Sequence, residues 1–175
     1  SLHDALPIFD VNVEVYINKN DYWNYNKYLI KHMPKFTRSF ILNMLSMPIT
    51  VLIVMIMLKK SILSTAIMTV VIGALGDLFL IYMIKWQVNR SAAKRQDILG
   101  KRTFELYNKG IKEVSQIKNQ MRTWKSIRDI KEDKDNIYIF LGGFEVNLIP
   151  KRSFESQELS QEFYDKCMEY YTNSK

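Results

Sequence analysis

Two long uncharged stretches govern what this chain can fold into. Residues 40–58, FILNMLSMPITVLIVMIML, hold no formal charge over 19 residues, and residues 61–84 hold only Asp77 over 24. The hydrocarbon core of a bilayer, about 30 Å thick, calls for roughly 20 apolar residues at helical rise. A water-exposed helix of that length carries a polar stripe, which neither run has. Both therefore read as membrane-spanning helices. Only Lys59, Lys60 and Ser61 separate them, so the chain must turn back at once and form an antiparallel hairpin. Pro48 removes a backbone donor inside the first helix and is expected to kink it. In the second, Ala66, Gly73, Ala74 and Gly76 are small enough to let the two backbones approach closely.

Of the 175 residues, 132 lie outside these runs, on either side of the hairpin. Any soluble core is small, which excludes a large soluble enzyme. The net charge of +7 is explained by position. Lys27, Lys31, Lys35 and Arg38 precede the first run, and Lys85, Arg90, Lys94, Arg95, Lys101 and Arg102 follow the second, ten cations against two in the turn. That asymmetry predicts a multi-pass membrane protein with both termini in the cytoplasm. Tyr82 and Trp86 stand where interfacial anchors are expected. Because the membrane accounts for the cations, basicity gives no reason to infer a nucleic-acid partner. Cys167 is the single cysteine and there are two histidines, so an intrachain disulfide and a Cys/His zinc site are both excluded.

The flanks divide further. Residues 1–8 resemble a translated sequencing scar and are set aside, and no secretory signal is expected at this end. From Phe9, Val11, Val13, Val15 and Ile17 alternate with polar residues and predict a half-buried strand. Asn18 to Asp21 supply turn and N-cap chemistry for a short aromatic and basic helix, the whole N-terminal segment running over 9–38 and the hairpin over 39–86. Residues 99–172 read as a small antiparallel β domain. Phe104 and Leu106 turn through Asn108-Lys109-Gly110 into Ile111 and Val114, and Met121, Trp124, Ile127 and Ile130 fit neither a helix nor a strand template, which suggests a bulge. Ile137 to Leu141 reverse at Gly142-Gly143 into residues 144–148, a diglycine hairpin. Leu159, Phe163, Cys167 and Tyr171 then recur every fourth residue and predict a terminal helix packed on the sheet. A strand over 9–17 left unpaired would be an aggregation hazard, so it is expected to join the C-terminal sheet.

Trp124 with Ile127 before an acidic turn, the aromatic strand 137–141, and Ile149-Pro150-Lys151-Arg152-Ser153-Phe154 closing the next strand resemble the C-terminal domain of the YcxB-like family of small bacterial membrane proteins. The strand, helix and hydrophobic hairpin before it match that family's layout, so the resemblance covers residues 9–171. More distantly, the C-terminal part resembles the membrane-tethered pleckstrin-homology-like domains of bacteria. The resemblance implies an α+β membrane protein, a two-helix transmembrane hairpin set between an N-terminal strand and helix and a small β domain. It transfers no catalytic residue.

No Ser/His/Asp or Cys/His set is visible, and no catalytic residue, metal site, cofactor or small-molecule substrate is inferred. The expected role is a non-enzymatic binding or scaffold module, held at the inner face of the membrane and offered to a protein partner, a second copy or anionic lipid. Lys85, Arg90, Lys94 and Arg95 are candidate contacts because each cation near acidic lipid contributes on the order of 1 kcal/mol. Lys151 and Arg152 are the further candidates, since membrane topology does not require them there. Asp77, ionisable inside a span, supports an alternative reading as part of a small oligomeric transporter or channel.

Overall fold

The computed structural model describes residues 11–94, 99–142 and 145–175. Two compact units divide the chain: residues 1–21 with 95–175, and residues 22–94.

In the first unit, β1 (Val11–Ile17) buries Val13, Val15 and Ile17 and exposes the residues between them, as the alternation predicts. It pairs antiparallel with β2 (Gly100–Tyr107), with rungs running from Val11 opposite Leu106 to Ile17 opposite Gly100. The predicted union of the N-terminal strand with the C-terminal sheet is thus realised. β3 (Gly110–Ser115) and β4 (Asn119–Thr123) complete a four-stranded antiparallel sheet in chain order. A second sheet of three strands holds β5 (Asp129–Glu132), β6 (Asn136–Gly142) and β7 (Glu145–Pro150).

The segment whose spacing suits neither template resolves into β4, a single 3-10 turn (Trp124–Ser126) and β5, so the chain changes sheets where a bulge was expected. Trp124 causes the change to be sharp. Its indole is buried and donates from Nε1 to the Tyr107 carbonyl at 2.9 Å, pinning the corner to the end of β2. A bulge does occur, between Phe140 and Gly142 in the β6–β7 hairpin, where Gly142 takes a φ of 143°. Gly143, the second glycine of the expected turn, lies outside the described residues, as do residues 1–8 and Phe9 of the expected strand.

Ile137 to Phe140 are buried at every position, so β6 is covered on both faces. α4 (Gln157–Asn173) supplies cover. Ser156 caps it by accepting from the Leu159 N–H at 3.2 Å, and Phe163, Cys167 and Tyr171 are buried along one stripe. The Tyr171 hydroxyl donates to the Arg128 carbonyl at 2.6 Å, and Trp124 and Phe154 meet Tyr170 and Phe163 ring to ring. Leu159 departs from the expected stripe. It is 43% exposed, and Ser160 takes the buried place.

In the second unit, α1 (Lys19–His32), which starts in the first unit, ends where Met33 takes an extended conformation. A residue before proline is pushed out of the helical region, and Pro34 then opens α2 (Pro34–Met57) at its first position. Thr37 spans the break, its hydroxyl donating to the Ile30 carbonyl at 2.5 Å. α2 continues through Pro48, and α3 (Ile62–Lys94) returns beside it after a turn in which Lys59 holds a φ of 51°. Gly73 and Gly76 are the contact points. A Cβ on Gly73 would stand 3.1 Å from the Pro48 Cβ, and one on Gly76 would stand 2.8 Å from the Met47 Cε. Ala66 and Ala74 are exposed, so only the glycines of the four small residues serve the helix contact. Both helices are long and apolar enough to cross a membrane, and only 6% and 11% of their most apolar windows is buried, unlike the core helices of a soluble domain. α3 runs ten residues past the apolar stretch, to Lys94.

Gly110 sits against the neighbouring strand, where an added Cβ would lie 2.1 Å from the Arg122 carbonyl oxygen. Gly110→Ala should therefore destabilise the β domain by about 3 kcal/mol, lowering its melting temperature by roughly 10 °C or more. Thermal unfolding of the full chain in neutral detergent, followed by the near-ultraviolet signal of its tryptophans, measures this.

Candidate functional site

The cations singled out in the sequence fall into two groups. Lys85 and Lys94 are exposed on the last turns of α3 and form no ion pair with a described residue. Arg90 lies 5.1 Å from the Trp86 ring centroid, a cation–π contact on the same helix. Arg95 lies outside the described residues. Lys101 and Arg102, which the charge count placed with these, are instead spent within the sheet. Lys101 meets Glu14 at 2.7 Å on the exposed side. Arg102 points to the buried side and bonds Glu113, whose side chain is only 3% exposed and also takes Lys118 at 3.1 Å.

Lys151 and Arg152 have partners inside the domain too. Lys151 reaches Glu132 at 2.7 Å across the end of the three-stranded sheet. Arg152 has the more consequential partner. Asp21 is 1% exposed, and its carboxylate receives the Arg152 guanidinium on both oxygens, through Nη1 and through Nη2 at 2.6 Å. The same Nη2 donates to the Tyr16 carbonyl at 3.0 Å. Asp21 also takes part in the start of α1: Asn18 caps the helix by accepting from the Asn20 and Asp21 N–H groups, and the Asn18 N–H donates back to Asp21 at 2.8 Å. This reciprocal cap satisfies orphan donors of the first turn. The neighbouring carboxylate raises the Arg152 guanidinium above its usual range, chiefly through the hydrogen bond. Arg152 thus ties the end of β1 and the start of α1 to the segment after β7.

Two carboxylates of the acidic turn are likewise occupied, Glu132 by Lys151 and Asp133 by its own turn. Asp133 accepts the Asp135 and Asn136 N–H groups at 2.8 Å each and the Tyr138 hydroxyl at 2.7 Å, which makes this a side-chain-built turn. Cys167 is fully buried as a free thiol, and burial pushes it well above the ordinary thiol range. Among the described residues no group of three His, Cys, Asp or Glu side chains is placed to hold a metal ion. Asp77 belongs to the second unit, on the α3 face that also carries Gly73 and Gly76, and its Oδ1 is buried with no hydrogen-bond partner among the described residues.

One feature of the β domain escapes any reading of the sequence. A groove of about 450 Å³ runs along Val11 to Glu14, the outer side of β1, and is walled opposite by the start of α4. Phe154, Leu159 and Phe163 give it an apolar side, and Glu14, Glu155 and Glu162 line it with carboxylates against the single ammonium of Lys166. The sole hint in the sequence is Leu159, an apolar residue at a stripe position that the fold leaves exposed.

Arg152→Ala should destabilise the domain by about 2 kcal/mol, less than a fully buried pair would cost because the arginine side chain is half exposed. Arg152→Lys should recover less than half of that, since an ammonium cannot match both oxygens of Asp21. Melting curves of the two variants beside Asp21→Asn and the double variant give the coupling directly.

No curated protein gives a significant match to the chain. The family model described as YcxB-like protein matches residues 106–168. From the end of β2 through most of α4, the chain carries a YcxB-like domain.

Proposed function

We propose that this chain is a non-catalytic binding module fixed to the inner face of a bacterial membrane by its two-helix hairpin. The observation that carries the reading is the point of insertion. Residues 18–99 leave and re-enter the domain at a single rung of one antiparallel pair, Ile17 opposite Gly100. An insertion with adjacent ends must start and finish on one side of a membrane, which agrees with the ten-to-two distribution of cations. The exposed apolar surfaces of α2 and α3 suit lipid better than water.

Lys85, Arg90 and Lys94 extend beyond the apolar run, where acidic headgroups would meet them, and they form the lipid contact of the proposal together with Arg95. Lys151 and Arg152 are left out of it because their charges are used to hold the domain together. A four-stranded sheet, a three-stranded sheet and a terminal helix in that chain order support the pleckstrin-homology-like reading of the cytoplasmic part. The reading places the exposed surface of that part at the service of a partner.

Labelling of whole cells with a membrane-impermeant maleimide tests the arrangement. Ser61→Cys, in the tight turn, should label in intact cells, and Ser174→Cys should label only after permeabilisation, while the buried native Cys167 stays silent in both. The reverse pattern, or equal labelling of both positions, would overturn it.

The transporter or channel reading is favoured by one observation, the buried and unpartnered Asp77 oxygen on the helix-contact face. It predicts that Asp77→Asn abolishes ion flux through vesicles holding the purified chain. As an anchor alone, the hairpin should tolerate the same change without loss of assembly, since an amide costs less than a carboxylate in hydrocarbon.

A further inference from the structure

The groove beside β1 has a specific occupant written into its geometry. Successive residues of a strand direct their main-chain polar groups to opposite edges. The Tyr16 carbonyl faces away from β2, since it receives Arg152 there. The peptide groups of Glu14 and Asn12, two and four residues earlier, therefore face the same open side. Among the described residues none bonds to them on that side. Arg152 closes this edge at Tyr16, and the groove begins where that stopper ends.

Such an edge is a template for one more strand. Here it is not flat and bare: the groove gives a visiting strand a floor for one row of side chains and a charged rim for the other. Leu159 and Phe154 offer apolar contact on one side, over the fully buried Phe163. Three carboxylates against one ammonium set the charge of the rim, and Glu155 has no ion pair with a described residue. The two pairs that engage rim carboxylates, Glu14 with Lys101 and Glu162 with Lys166 at 3.5 Å, are solvent-exposed and cost little to exchange.

We propose that the groove receives an extended peptide segment with alternating apolar and cationic side chains, which adds to β1 through the main-chain groups of Asn12 and Glu14. Main-chain bonds would give the affinity, and the two rows of side chains the selectivity. This rests on the reading of the β domain as a binding module and names the chemistry of its partner. It does not depend on which side of a membrane the domain faces.

The test uses the full chain in neutral detergent micelles and a fluorescein-labelled peptide of alternating valine and lysine, read by fluorescence anisotropy. A second peptide places proline at alternate positions, and a third replaces lysine by glutamate. Expected is saturable binding of the valine–lysine peptide with Kd below about 100 μM, weakened about tenfold or more in both other peptides. Leu159→Lys, a change at an exposed position, should weaken it by a similar factor while the melting curve stays in place. Slower amide hydrogen exchange at Asn12 and Glu14 on binding would fix the site. Equal binding of the proline peptide, indifference to Leu159→Lys, or no binding at about 1 mM peptide would each overturn the proposal. Self-association of the chain that Leu159→Lys abolishes, without peptide binding, would assign the groove to a second copy instead. Failure here would leave the maleimide pattern untouched, and failure of that pattern would leave the peptide titration untouched.

Discussion

The pairing of β1 with β2 is the contact on which the architecture depends. Seven rungs join a strand at one end of the chain to a strand beyond a long apolar insertion. Without them Val13, Val15 and Ile17 would have no shared buried face with Phe104 and Leu106, and the four-stranded sheet would lose its first strand. Loop-closure entropy grows only slowly with length, so an insertion of this size is tolerable, but the closing contact must still be specific. The Arg152 clamp supplies part of that specificity. It holds the last residues of β1 and the first turn of α1 to the segment after β7, so the insertion leaves the domain from a fixed point.

Charge is handled by burial with partners rather than by exposure. Glu113 is almost wholly buried between Arg102 and Lys118, and Asp21 is buried against Arg152. Such pairs contribute little net stability compared with apolar residues of the same shape, but losing one partner leaves an uncompensated charge and is costly. They therefore act to exclude wrong arrangements: a β1 slipped by one residue would turn Val13 and Val15 outward and leave Arg152 without its Tyr16 carbonyl. In the second unit shape contributes, with Gly73 and Gly76 letting Pro48 and Met47 approach closer than a larger side chain would without a shift of its neighbours.

Much of this fold was legible in the amino-acid order because the decisive signals are local. Alternation over 11–17, the two uncharged runs, the Asn108 to Gly110 turn and the terminal stripe at Phe163, Cys167 and Tyr171 each report their element within a few residues. The sites were harder. Arg152 and Asp21 stand 131 residues apart, and nothing near either one announces the other. Lys151 and Arg152 look like free strand-end charges until the sheets close. Spacing over 121–130 resists a single template because it holds the ends of two strands from different sheets. Leu159 looks like core by its spacing, and the fold leaves it in a groove wall instead. Local patterning specifies elements, while long-range pairing decides which charges are available for function.

The position of the insertion also sets an order on biosynthesis. β1 leaves the ribosome before the hairpin, and β2 only after it. At about 5–20 residues per second, some seconds pass during which β1 is complete and its partner strand does not exist. An alternating strand with four apolar residues on one face, waiting in that interval, needs shelter from other nascent chains. On the proposed membrane reading, delivery of the hairpin to lipid and completion of the β sheet are thereby coupled in time: a chain whose hairpin stalls before insertion also keeps β1 single, and the same delay that leaves apolar helices in water leaves an unpaired strand beside them.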